Sequence, residues 1–191
     1  MLSELEPAPW APIPLAELAA HLRLPEGMEE EERGALDLYA RAAGAVVEGM
    51  TGKALISRKF TWTVTRWRDG FSEPIPVAPV SWVNAVTLLD AEGGWQTADP
   101  STYVLVPAAH RPRMEGARGR ALPGVPTGGR IEIELTAGYG TGWNKVPVDL
   151  RQAVLLLAAQ YYEQRQVSAD PAREAPYGVE ALVARHREIR L

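Results

Sequence analysis

The chain is predicted to be α+β, a helical core of about four helices with a small antiparallel β-sheet inserted between the second and third. Two observations carry this expectation. Apolar residues recur at spacings of three and four before about residue 52 and again after residue 147, the period of a helix packed on one side. Between those stretches, apolar and polar residues alternate, the period of a strand with one buried face.

Residues 1–13 are rich in proline and without periodicity, and are expected to form a flexible arm. Pro14 suits the first position of a short helix, where a missing N–H costs nothing, with Leu15, Leu18, Ala19 and Leu22 as its apolar stripe. A longer helix is expected over residues 29–51. The run from Glu29 to Glu32 lies in its first turn, where negative charge complements the helix dipole. Leu36, Tyr39, Ala43, Val46 and Met50 form its seam, and Gly52 caps it.

The β insertion is expected at about residues 56–137. Phe60, Trp62 and Val64 alternate with threonines, and residues 83–89 form a second strand. The turn at 90–94 makes a hairpin with a short strand at 95–97, and another short strand runs from Tyr103 to Val106. Residues 130–135 alternate most clearly, with Ile131, Ile133 and Leu135 on one face. Helix returns at Pro147 and Asp149. Ala153, Val154, Leu157, Ala158 and Tyr161 make one stripe of the new helix, and Leu155, Leu156, Ala159 and Tyr162 widen it beyond one face. Such girth implies burial on two sides, centrally in the chain's own bundle or between subunits, and on the second alternative these last four residues are the expected subunit interface. A final short helix is expected at 179–187. Residues 14–176 thus read as one domain, with 177–191 a separate docking segment.

Chemistry finds little foothold. The absence of cysteine excludes disulfides, thiolate metal sites and a cysteine nucleophile. His21, His110 and His186 are scattered, at no metal-ligand spacing. The glycines from Gly138 to Gly142 follow a strand, but Lys145 precedes Val146 and Pro147 rather than the hydroxyl residue a phosphate loop needs, so a turn is expected. The acidic run 29–32 points in several directions and cannot converge on an ion. No catalytic, cofactor or metal site and no enzymatic activity are expected. The net charge of -4 offers no global attraction to nucleic acid. Only a local patch, Arg111, Arg113, Arg118 and Arg120, could touch DNA phosphates, and a DNA-binding accessory protein is the alternative this patch keeps open. The acidic N-terminus lacks the pattern of a signal peptide, and the longest apolar run falls far short of the roughly 20 residues of a membrane helix. A soluble chain, made in the bacterial cytoplasm and without membrane contact, is expected.

The C-terminal stretch sets Tyr177, Gly178, Val179, Leu182, Val183, Ile189 and Leu191 beside Arg185 and Arg187, the pattern of a short amphipathic segment that either docks in a partner's groove or packs on its own domain. Taken with residues 15–24 (LAELAAHLRL), 42–53 (AAGAVVEGMTGK), 136–140 (TAGYG), 146–153 (VPVDLRQA), 161–165 (YYEQR) and 176–182 (PYGVEAL), it makes the chain resemble the head–tail connector (adaptor) proteins of long-tailed phages and gene transfer agents. The resemblance spans residues 15–191 but not the loop from Pro107 to Gly129. It implies a homo-oligomeric ring, usually of twelve subunits, at the head–tail junction of a particle. In such a ring the C-terminal segment contacts the portal protein, the far face receives a tail-completion (stopper) protein, and DNA passes through the channel.

Overall fold

The computed structural model describes residues 1–5, 13–25, 27–164 and 177–187. The chain divides into two compact units, residues 1–8 with 57–139 and residues 9–56 with 140–191.

The first unit is built on strands. A five-stranded antiparallel sheet runs in the order β1 (Leu2–Glu4), β2 (Arg58–Val64), β8 (Arg130–Ala137), β4 (Val80–Leu89), β5 (Trp95–Thr97). Strand β8 sits at the centre because its alternation is the cleanest, with Ile131, Ile133 and Leu135 all fully buried. Each is flanked on both sides in register: Phe60 and Val83 beside Leu135, Trp62 and Val86 beside Ile133, Val64 and Leu88 beside Ile131. Register shifts between Val80 and Trp82 and between Val83 and Ala85 break the period of β4. Trp82 consequently lies opposite Thr136 and is exposed rather than buried.

A second antiparallel sheet joins β3 (Ser72–Pro74), β7 (Arg113–Gly116) and β6 (Tyr103–Val106). Met114 is its fully buried centre. The Glu73 carboxylate is buried beside it and accepts the Arg68 backbone N–H at 2.7 Å. At the end of β7 the chain folds back so tightly that a Cβ on Gly116 would stand 1.8 Å from the Arg120 carbonyl oxygen, so only glycine fits.

The second unit holds the helices α1 (Leu15–His21), α2 (Met28–Glu31), α3 (Arg33–Thr51), α4 (Val148–Glu163) and α5 (Tyr177–Val183). Leu18 of α1, Leu36, Ala43 and Val47 of α3, and Leu150, Ala153 and Val154 of α4 form its core. Tyr39 and Tyr162 meet edge to face at 6.3 Å. Gly52 ends α3 in the left-handed region at φ 66°, where its N–H closes on the Glu48 carbonyl.

The α+β class and the antiparallel pairing agree with the sequence, but the expected arrangement needs correction. The helix expected over residues 29–51 breaks at Glu32, whose φ and ψ of −92° and 2° separate α2 from α3. Adjacent like charges, with Gly34 just beyond them, weaken the helix there. The strands β2–β8 therefore fall between α3 and α4, and they make two sheets rather than one small one. Residues 2–4, assigned to an arm, form β1 ahead of every helix, where the Met1 amino group donates to the Thr63 carbonyl at 2.8 Å. The Arg58 guanidinium bonds Glu4 at 2.6 Å in the same place.

The centre of β8 makes the first prediction. Ile133→Ala removes a fully buried side chain with a neighbour on each flank and should cost about 2–5 kcal/mol in urea unfolding. Exposed Glu134→Ala, one residue on, should stay within about 0.5 kcal/mol.

Candidate partner-binding surfaces

Among the described residues no cluster of three or more metal-ligating side chains exists, and no helix is long and apolar enough to cross a membrane. The glycine-rich turn from Gly138 to Gly142 leads into a single 3-10 turn, Trp143–Lys145, and α4 starts only at Val148. The backbone N–H groups of a helix N-terminus therefore do not follow the glycines directly, as a phosphate cradle would require. The Lys145 side chain instead packs where a Cβ on Gly140 would stand, 2.8 Å away.

The C-terminal segment has the most structured setting. Helix α5 lies along α4 and continues into a 3-10 turn, Ala184–His186. Val179 and Val183, expected to meet a partner, are fully buried within their own unit. Gly178 is exposed, Leu182 is half-buried, and Tyr177 opens α5. Ile189 and Leu191 lie outside the described residues.

The segment is fastened by a contact that sequence reading missed. Asp149, in the first turn of α4, accepts from Arg185 Nε at 2.5 Å and contacts His186 Nε2 at 2.7 Å. Asp149 and His186 are each about 12% exposed at the side chain, whereas Arg185 is 70% exposed. Burial pushes the Asp149 carboxyl up, but hydrogen bonds from His186 and Arg185 and the charge of His186 outweigh it and hold the group below its ordinary value. Asp149 had signalled only a helix start, and His186 only an ordinary histidine. Nothing local links two residues 37 positions apart.

The four side chains expected at a subunit interface differ in exposure. Leu155, Ala159 and Tyr162 are buried inside their own unit, and only Leu156 remains partly accessible, 3.8 Å from where a Cβ on Gly178 would stand. The apolar girth of α4 is thus used within the chain, by α1, α3 and α5.

The four arginines of the basic segment do not share one setting. Arg113 belongs to β7, where its Nε donates to Ser72 Oγ at 2.7 Å and stands 3.8 Å from Glu115. Arg111, Arg118 and Arg120 are exposed, with Arg118 at a φ of 55°. Arg120 stands at a cavity of about 390 Å³ that Leu88, Gln96, Asp99, Ala121 and Pro123 also line.

No family model and no curated protein matches the chain. Solved structures do. The chain is similar to a chain from the neck of an empty gene transfer agent (GTA) particle computed with C6 symmetry, at 47% identity and a TM-score of 0.89. It is similar, at 47% identity and a TM-score of 0.88, to a chain from the virion of a native GTA particle. A chain from the neck of a native GTA particle computed with C12 symmetry matches at 45% identity and a TM-score of 0.85. Each match covers 100% of this chain and 97% of the other.

The Asp149 contact carries a pH dependence of defined sign. A carboxyl whose folded value is lowered contributes stability above its unfolded value, about pH 4, and loses it as pH falls through the folded value. At pH 7, Asp149→Asn should cost about 1–3 kcal/mol in thermal or urea unfolding, and the difference from the native chain should shrink as pH is taken below about 4.

Proposed function

The chain belongs to the head–tail connector (adaptor) family of phages and gene transfer agents, and on that premise we propose that it is a structural ring subunit of a particle neck. The observation that carries the reading is the match to GTA neck and virion chains at 45–47% identity over the whole chain. The matched chains come from GTA necks and a GTA virion, which supports a structural role.

In this reading twelve copies close a ring between the portal and the tail of a phage-like particle, after synthesis in the bacterial cytoplasm. A neck computed with C12 symmetry, to which the chain is similar, supports that number. The ring's channel passes DNA, its portal side binds the portal protein, and its far side receives the tail-completion (stopper) protein. A net charge of -4 suits a channel that must not retain DNA moving through it.

Portal docking falls to the C-terminal segment, with a division of labour. Val179 and Val183 hold α5 on its own unit, and the Asp149 contact fixes the turn beyond it. On this reading Gly178, Leu182, Arg185 and Arg187, with Tyr177, Ile189 and Leu191, meet the portal. Leu156, beside Gly178, extends the same surface and is the member of the expected subunit-interface set still open to a neighbour.

A second reading, a DNA-binding accessory protein, keeps one favouring observation: Arg111, Arg118 and Arg120 are exposed on one segment. Strongly salt-dependent DNA binding by the isolated protein, lost on replacing Arg118 and Arg120, would favour it over the connector.

Electron microscopy of the protein mixed with its portal tests the proposal, and a closed ring coaxial with the portal is the expected result. Deleting residues 177–191 would also strip Val179 and Val183 from the core, so point changes are cleaner. Ile189→Asp with Leu191→Asp should abolish co-sedimentation with the portal and leave thermal stability unchanged. Retained binding would remove the segment from the assignment.

A further inference from the structure

The outward face of α3 is unusual for a surface helix. Its inward face is ordinary, with Leu36, Ala40, Ala43, Gly44 and Val47 buried. At about 100° per residue, Leu38, Ala42, Ala45, Val46 and Gly49 fall within one arc of roughly 100° on the other side. All five are exposed, Leu38 at 61% and Val46 at 38%. A surface helix normally carries charge on this face, yet Glu48 is the sole charged residue from 42 to 50.

The charges bordering the face are engaged within the chain. Arg41 Nε donates to Asp37 at 2.7 Å, and Glu48 accepts the Leu55 backbone N–H at 2.6 Å. What remains is an apolar strip about 16 Å long, with two protruding side chains set among residues small enough for close approach of another backbone. Nothing occupies the space where a Cβ on Gly49 would stand.

We propose that this face of α3 is one half of the contact between neighbouring copies of this chain in the ring. The inference rests on the ring reading above and names the surface that reading lacks, now that Leu155, Ala159 and Tyr162 are accounted for inside the chain. Charge selects the occupant. Two copies at -4 each repel, so they approach best through a face with few charges, here Arg41 paired with Asp37 and Glu48 bound to the Leu55 backbone N–H. DNA is a poor occupant of the same face, which offers no cation beyond the paired Arg41. A closing ring needs a heterologous contact, so the α3 face of one copy seats on a different surface of the next. Leu38 and Val46 are the protruding anchors, and Ala42, Ala45 and Gly49 set the approach distance.

The chain contains no cysteine, so a single introduced thiol is unique. Leu38→Cys and Ala45→Cys, each carrying a thiol-linked photocrosslinker, should give a covalent pair of connector chains in the portal-bound ring. Leu38→Asp with Ala45→Asp should keep the circular dichroism and melting temperature of the native chain, because both sites are exposed, while reducing ring formation on the portal at least tenfold. If the native chain forms rings and the double variant forms them equally well, the inference fails and the ring reading stands. Crosslinking to the portal or another protein instead of a second copy has the same consequence. If the native chain forms no ring with its portal, the ring reading fails and takes the inference with it.

Discussion

The constraint that shapes the helical unit is the girth of α4. Leu150, Ala153, Val154, Leu155, Leu157, Ala158, Ala159 and Tyr162 are all buried, and together they span more than one side of the helix. A helix of that kind must be enclosed from several directions. The chain does this with α1, α3 and α5, drawn from both ends of the sequence. The enclosure has two consequences. It brings the C-terminal segment back onto α4, where Asp149 can fasten His186 and Arg185. It also turns the inner face of α3 toward α4 and leaves Leu38 and Val46 exposed on the outer face.

What was legible in the sequence follows the range of the forces involved. The alternation in β8 and the stripe of α4 are local patterns, and each element stands close to where its period places it; in α3, Leu36 and Ala43 face the core as expected, but Val46, read into the same seam, faces outward. The elements missed are those that depend on a distant partner. Leu2–Glu4 has no strand signature of its own and becomes a strand because β2 offers it an edge. The strand β7 lies within an arginine-rich stretch that reads as a loop, and is held by Met114 at the centre of a sheet with β3 and β6. The girth of α4 was correctly read as burial on several sides, but burial alone does not say whether the cover comes from the same chain. Three of the four α4 residues read as an interface, Leu155, Ala159 and Tyr162, turn out to be covered by their own unit.

Electrostatics in this chain works mainly in short-range pairs. Arg33 with Glu30, Arg41 with Asp37 and Arg130 with Glu132 join residues two to four positions apart, and solvent screens exposed pairs of this kind so that they add little to stability. Their larger effect is to leave little unbalanced charge on the faces they border. Arg113, in the middle of the basic segment, is likewise committed to Ser72 and Glu115. A run of arginines that suggests one basic patch in the sequence therefore becomes, in the fold, a strand residue followed by separate exposed side chains. The pair at Asp149 differs because its carboxylate and its histidine are nearly withdrawn from water, where a hydrogen-bonded charge holds more strongly.

A ring subunit has to fold alone and still join its neighbours, and the two demands compete for the same apolar residues. Here the large side chains, Leu36, Leu150, Tyr162 and the β8 isoleucines, are committed to the two cores. The outward face of α3 is left with one leucine, one valine and a run of small side chains. A strip about three helical turns long buries far less than the roughly 800 Å² per partner of a standard stable interface. Such a contact would be weak between two free copies. In a closed ring every copy makes it twice, and a portal that binds each copy supplies a high local concentration that the contact itself need not provide. On the connector reading, then, modest apolar area is no defect. On that same reading it would keep a net-negative chain dispersed until the portal gathers it, and a small apolar face would carry an assembly step that a larger one would trigger too early.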